Sequence, residues 1–242
     1  MSETVPLDLS VDRVRVFLDG EIVGSLTLSP AKTVAFSYES SWLSSGFSIS
    51  PLSLPLREGV FVAKRDPLHG LFGAFDDSMP DEWGRLLTDR LLRQRGIDPY
   101  SIGTLTRLSI VGSSGMGALE YEPAADIENG VAATDLDDIA RECANLLETD
   151  FSEDLDQLFA LGGSSGGARP KILTEVDGEE WIIQFPSSVD SANIGEQEYQ
   201  ISVLARECGI DMPETRLFAS AQCSGYFGVR RFDRTRDDDG TE

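Results

Sequence analysis

The sequence predicts an α+β fold, in which a β-rich N-terminal domain with helices precedes a second domain made of an antiparallel sheet and one long helix. Two pairs of apolar runs are each joined by an Asp-Gly dipeptide, at Asp19-Gly20 and Asp177-Gly178, as in β-hairpins. Between the hairpins, apolar residues recur at helical spacing. We place the boundary in the polar, acidic stretch that starts at Pro123, which gives domains 1–124 and 125–242.

The first domain begins with strands. Alternating apolar residues predict four of them, at 14–18, 23–28, 34–38 and 60–64. A stretch rich in Ser, Gly and Pro over 44–55 predicts a loop between the third strand and the fourth.

A helix follows the strands. Asp77 or Ser78 can cap its start, Pro80 suits its first turn, and Gly96 ends it. Its apolar face is formed by Trp83, Leu86, Leu87, Leu91 and Leu92. The next segment, 102–121, predicts a second Gly/Ser loop that runs into a short strand.

The second domain begins with two helical patterns, over 136–147 and 152–161, which lead into the Gly-rich loop 161–171. After the second hairpin, the pattern predicts a helix over 193–208 and strands over 215–220 and 226–232. The acidic tail from about residue 234 has the composition of a disordered segment.

Composition narrows the function classes. The 42 acidic and 20 basic residues give a formal charge of −22, which opposes direct binding to nucleic acid or to an anionic membrane. Three scattered cysteines and one histidine, His69, favour neither a disulfide framework nor a metal cluster. The N-terminus lacks the basic start and apolar core of a signal peptide, so we expect a cytoplasmic protein.

The Gly-rich loop, LGGSSGGARPK, is the strongest candidate site. Its four glycines and two serines can turn backbone N–H groups toward an anion such as phosphate. It does not fit the Walker A pattern, because Pro170 precedes Lys171 and Ile172 follows it, and it does not open a helix as GxGxxG does. A flexible linker between two domains is the competing interpretation.

Several segments, in this order, closely resemble the HipA family of toxin–antitoxin kinases over nearly the whole chain. They are DGEIVGSL, SLPL, MPDEWGRLL, MGALEYEP, the Gly-rich loop, WIIQFP, GEQEYQISVLARECGI and GVRRFDR. The resemblance implies a HipA-like N-terminal domain followed by a protein-kinase-like N-lobe, which is an antiparallel sheet with one nucleotide-facing helix. It also implies a Ser/Thr protein kinase toxin that uses ATP and Mg²⁺, phosphorylates a translation factor such as an aminoacyl-tRNA synthetase, and is neutralised by a HipB-like DNA-binding antitoxin.

The resemblance assigns roles to individual residues. Ser164 matches the serine that the family autophosphorylates. The positions that match the nucleotide-binding residues are Ser165, Gly166, Gly167, Ala168, Lys171, Gln184, Glu198, Arg230, Arg231 and Phe232. From its spacing alone, Glu198 lies within or beside an apolar helix stripe, where a carboxylate is either partnered or at the stripe's edge.

Two departures from the family pattern concern catalysis. Gln184 stands where the family has the lysine that pairs with the α- and β-phosphates and with the helix glutamate. No residues after Phe232 fit the catalytic and Mg²⁺-binding groups of a C-lobe, so we expect the C-lobe to be absent, with no catalytic or metal-ligating residue in this chain. Two hypotheses remain: a HipA-type kinase toxin whose chain is inactive by itself, or a noncatalytic HipA-like module that binds or regulates an antitoxin.

Overall fold

The computed structural model describes residues 11–68, 70–80, 82–124, 135–149, 152, 155–162 and 167–232. These residues form an α+β fold with two antiparallel sheets and seven helices. Contacts divide the chain into two compact units. The first comprises Met1–Pro80 and Arg95–Ile127, and the second comprises Asp81–Gln94 and Glu128–Glu242.

The first unit is built on a five-stranded sheet with the strand order β4-β3-β2-β1-β5. Its strands are β1 (Arg13–Leu18), β2 (Glu21–Leu28), β3 (Val34–Tyr38), β4 (Phe61–Val62) and β5 (Leu119–Glu122). The predicted hairpin, third strand and short fourth strand are therefore confirmed. Alternate residues such as Val14, Leu26 and Phe36 are fully buried, as expected when one face of a sheet covers a core.

Three helices belong to this unit: α1 (Ser40–Ser45), α2 (Gly73–Asp76) and α4 (Thr104–Val111). Two of them correct the sequence analysis. Helix α1 runs into the predicted loop 44–55, and α4 lies inside 102–121, where we expected a loop before the strand. In α4, four of the eight residues are β-branched and disfavour a helix, but burial of Leu105 and Leu108 outweighs that local preference.

The second unit contains a four-stranded sheet with the order β6-β7-β9-β8. Its strands are β6 (Lys171–Val176), β7 (Glu179–Gln184), β8 (Thr215–Phe218) and β9 (Tyr226–Arg230). Its helices are α3 (Glu82–Gln94), α5 (Leu136–Thr149), α6 (Leu155–Gly162) and α7 (Ile194–Glu207). All of these elements were predicted, although α3 was assigned to the first domain.

Helix α3 packs against α6, so it joins the second unit although 60 residues separate the two helices in the sequence. Its buried face includes Trp83, Leu87 and Leu91. The predicted boundary at 124/125 adjoins residues 125–134, which lie outside the described residues, and it stays a prediction. The predicted disordered tail and His69 lie outside them as well.

Among the described residues, no helix is both long enough and apolar enough to cross a membrane.

Candidate functional site

The Gly-rich loop connects α6 to β6. Helix α6 ends at Gly162, and Gly163, Ser164, Ser165 and Gly166 lie outside the described residues. Gly167 has a φ of +87°, and a Cβ atom there would lie 2.5 Å from Nζ of Lys171. The ammonium group of Lys171 therefore lies against the loop backbone, at a position that requires glycine.

Lys171 is paired across the β6–β7 hairpin with Gln184. Directly opposite residues of antiparallel strands project to the same face, so the two predicted nucleotide-binding side chains are neighbours. The same face carries apolar residues that are only half-buried: Leu173, Ile182, Phe227 and Val229. The opposite face is buried and includes Ile172, Trp181, Ile183 and Tyr226. The sheet thus has one closed face and one partly open face next to the Gly-rich loop.

Helix α7 packs on the partly open face over β8 and β9. Its buried residues are small: Gly195 and Ser202. A Cβ atom at Gly195 would lie 2.2 Å from the carbonyl oxygen of Gly225, and the hydroxyls of Ser202 and Thr215 are 2.8 Å apart. Small residues let the helix backbone approach the sheet closely, which places Glu198 near the Gly-rich loop.

Glu198 has a cationic partner, and that partner is Arg169 of the Gly-rich loop. The guanidinium of Arg169 donates from Nη1 to Oε1 of Glu198. It also binds the carboxylate of Asp190 through two contacts, Nε to Oδ2 at 3.0 Å and Nη2 to Oδ1 at 3.1 Å. One arginine therefore fastens the loop to α7 and to the segment that precedes α7.

The environment of Asp190 favours its ionised form. The backbone N–H of Ser187 donates to Oδ2 at 2.9 Å, and the Ser187 hydroxyl donates to the same atom at 2.7 Å. These hydrogen bonds lower the pKa of Asp190, burial opposes them, and Arg169 lowers the pKa further. Asp190 therefore remains a carboxylate that neutralises Arg169.

Arg169 is the residue that the sequence analysis missed. The resemblance led us to pair Glu198 with the lysine position, where this chain has Gln184, and no cation was named for it. The available signal was the basic residue in GGARPK, directly before the proline that precedes β6. Only the fold shows that residues 29 apart in sequence meet.

Three of the predicted nucleotide-binding residues, Arg230, Arg231 and Phe232, lie at the far end of the sheet from Gln184. Arg231 is nearly buried, and its Nη1 lies 3.2 Å from Oε2 of Glu180 at the start of β7. Arg230 lies 3.5 Å from Glu179 and is half-exposed, and Phe232 is 82% exposed. Glu180 and Gln184 are four positions apart along β7, which separates this end from Lys171 by roughly 13 Å at the usual rise of a strand.

Among the described residues, no three or more His, Cys, Asp and Glu side chains are grouped so as to hold a metal ion.

Comparisons with known proteins identify related sequences for both halves of the chain. A family model described as the HipA N-terminal domain matches residues 14–122, and a model described as the HipA-like C-terminal domain matches residues 163–241. A protein of Sinorhizobium fredii (strain NBRC 101917 / NGR234), named "Putative kinase Y4mE", is 28% identical over 251 aligned residues. The alignment covers 96% of this chain and 56% of that protein, so this chain spans little more than half the length of the curated relative.

Proposed function

The chain belongs to the HipA family of kinase-like proteins, and from this premise we propose that its second unit is the nucleotide-binding lobe of a HipA-type Ser/Thr protein kinase. The observation that carries the proposal is the partly open sheet face beside the Gly-rich loop. It joins a strip of half-buried apolar residues, suited to a base, to the Lys171 ammonium, suited to phosphate.

The described residues fit a nucleotide polyphosphate. Gly167 leaves room for close approach to the loop backbone, and Lys171 supplies a positive charge at that point. The amide of Gln184 can donate a hydrogen bond from the same face but adds no charge. When bound, Mg²⁺-ATP supplies the phosphoryl group and the metal that neutralises phosphate charge.

Arg169 takes over the structural part of the missing lysine's role. In kinases, a lysine–glutamate ion pair fixes the nucleotide-facing helix relative to the sheet. In this chain, the pair between Arg169 and Glu198 fixes α7 relative to the Gly-rich loop. The Lys171 ammonium, which lies against the loop backbone at Gly167, would meet the phosphates.

We propose autophosphorylation of Ser164 as the control of this site. A phosphoserine carries a charge of about −1.5 to −2, which would repel the ATP phosphates that the loop holds. The added charge would therefore oppose nucleotide binding.

We extend the proposal to the activity of the whole protein. We propose that the whole protein is a cytoplasmic toxin kinase that phosphorylates a translation factor such as an aminoacyl-tRNA synthetase and is neutralised by a HipB-like DNA-binding antitoxin. A charge of −22 opposes direct DNA contact by this chain, so a basic antitoxin would make that contact.

Thermal unfolding with and without millimolar Mg²⁺-ATP tests the proposal. A ligand that binds only the folded protein raises the melting temperature, so we expect a rise that depends on ATP concentration. In Gln184→Lys, two like charges would face each other across the hairpin, so the free protein should melt lower, but its ATP-dependent rise should be larger. No rise in either protein would contradict the proposal.

A noncatalytic module that binds an antitoxin is the second candidate. Gln184 favours it, because an amide provides less charge neutralisation than the family lysine. Co-expression with a HipB-like protein distinguishes the candidates. A stable complex from a chain that does not bind ATP supports the module, whereas a chain that elutes alone excludes it.

A further inference from the structure

Trp83, near the start of α3, contacts the Gly-rich loop at two points. Its backbone N–H donates to the carbonyl oxygen of Gly167 at 3.1 Å. Its indole Nε1–H donates to the carbonyl oxygen of Lys171 at 3.2 Å. The side chain is 1% exposed, so neither hydrogen bond is easily replaced by water.

Gly162 lies beside the hydrogen bond between the Trp83 indole and the Lys171 carbonyl. A Cβ atom at Gly162 would lie 2.4 Å from the carbonyl oxygen of Lys171 and 3.2 Å from Nε1 of Trp83. The end of α6, the start of β6 and the indole are therefore in direct contact. Because α3 also packs along α6, the indole is held in place from outside the loop.

We propose that Trp83 is the positioning residue of the Gly-rich loop. Its backbone N–H binds the carbonyl of Gly167 and its indole binds the carbonyl of Lys171, so one buried residue fixes where the Gly167 backbone and the Lys171 ammonium lie relative to phosphate. The inference rests on the proposed nucleotide site and deepens it. Residues matched by the HipA N-terminal domain model thus supply part of the nucleotide lobe.

Replacing the indole donor while keeping an aromatic ring tests the proposal in the full chain. Trp83→Phe removes the Nε1–H bond to Lys171, and Trp42→Phe is the matched control. The indole of Trp42 is also buried and donates to a backbone carbonyl, that of Phe47, but it belongs to the first unit. The measurement is the dissociation constant for Mg²⁺-ADP by titration calorimetry.

We expect Trp83→Phe to weaken Mg²⁺-ADP binding by roughly fivefold to tenfold, the equivalent of one hydrogen bond, and Trp42→Phe to change it less than twofold. Binding of equal strength in wild type and Trp83→Phe would overturn the positioning role alone. Absence of binding in the wild type would overturn the nucleotide site, and the positioning role with it.

A second measurement leaves the sequence unchanged and serves if Trp83→Phe does not fold. The chain has three tryptophans, so 5-fluorotryptophan labelling gives three fluorine NMR signals, assigned with Trp42→Phe and Trp181→Phe. We expect Mg²⁺-ADP to shift the Trp83 signal and to leave the Trp42 signal in place. An unmoved Trp83 signal in nucleotide-saturated protein would overturn the proposal, because a purely structural tryptophan would not sense the ligand.

Discussion

Arg169 contacts two carboxylates of the candidate site, those of Asp190 and Glu198. Its side chain and those of Asp190 and Glu198 are 34%, 12% and 24% exposed, so the cluster is partly shielded from solvent. Partly shielded, charge-assisted hydrogen bonds contribute more to stability than exposed ion pairs do. Removing the arginine would leave two carboxylates close together without their cation.

Arg169→Ala should lower the free energy of unfolding by about 1–2 kcal/mol, measured by urea denaturation at pH 7. Arg169→Lys should lie between wild type and alanine, because lysine keeps the charge but not the bidentate geometry. The control is Arg141→Ala, which removes an exposed pair with Asp138 and should cost at most about 0.5 kcal/mol. Equal losses at positions 169 and 141 would show that the cluster has no special stabilising role.

The stability of the second unit should depend on acidic pH through Asp190. Hydrogen bonds from Ser187 lower its pKa in the folded state, so its stabilising contribution is complete above the ordinary aspartate value of about 4. The contribution is lost as the pH falls through the lower, folded-state pKa.

The urea midpoints of wild type and Asp190→Asn should therefore differ at pH 7 and converge at acidic pH, once Asp190 is protonated in the folded state as well. Asp177→Asn is the control, because Asp177 lies in the exposed β6–β7 turn at a φ of +56°, where asparagine is equally suited. A difference for Asp190→Asn that persists unchanged at low pH would rule out this titration as its cause.

The sequence predicted which residues surround the loop better than it predicted their pairing. Lys171 and Gln184 follow from the hairpin register, because an Asp-Gly turn fixes which residues lie opposite each other. The partner of Glu198 depends on how closely α7 approaches the sheet. That approach is decided by Gly195 meeting Gly225 thirty residues later, a tertiary contact that carries no local pattern.

Among the secondary-structure elements, close packing of α7 against β9 brings Glu198 to the Gly-rich loop. In Gly195→Ala, the new methyl group would lie 2.2 Å from the Gly225 carbonyl oxygen and 3.1 Å from the Phe227 nitrogen. Both are backbone atoms, one in β9 and one in the residue directly before it, so the helix itself would have to move.

We expect Gly195→Ala to lower the free energy of unfolding by about 1–3 kcal/mol, measured by thermal or urea denaturation. The control is Gly73→Ala in α2, where the Cβ would make an ordinary contact of 3.6 Å with Leu68 and alanine is the better helix former. If Gly195→Ala proved as stable as Gly73→Ala, close packing of α7 would not be required.

The strand pairs and the long helices could be predicted from the sequence, because period-2 alternation, Asp-Gly turns and apolar helix faces are local signals. Helix α4 could not, because its four β-branched residues favour other structure locally and only burial makes it helical. The association of α3 with α6 could not be predicted either. An apolar helix face indicates that the helix packs against another element, but it does not identify that element.

At the scale of the whole molecule, the division of the chain into units does not follow its order in sequence. The second unit takes α3 from the first half of the chain, including the buried side chains of Trp83, Leu87, Leu91 and Leu92. Burial of each large apolar side chain contributes about 1.5–3 kcal/mol, which together is comparable to the net stability of a domain.

A fragment of residues 125–242 should therefore lack cooperative unfolding or precipitate, because α6 would lose the helix that covers it. The same fragment with residues 81–94 joined to its start by a Gly/Ser linker should unfold cooperatively in urea. Equal midpoints for the two fragments would mean that the second domain folds without α3.

If the partly open face of the second sheet, beside the Gly-rich loop, binds a nucleotide, adding the nucleotide should perturb the residues that line this face. A titration of the ¹⁵N-labelled chain with Mg²⁺-ADP, followed by amide NMR shifts, tests both binding and place. We predict saturable shifts centred on Gly167–Leu173 and Ile182–Gln184, with the strands of the first unit unaffected. Absence of shifts, or shifts centred on β1 to β5, would contradict nucleotide binding at this face.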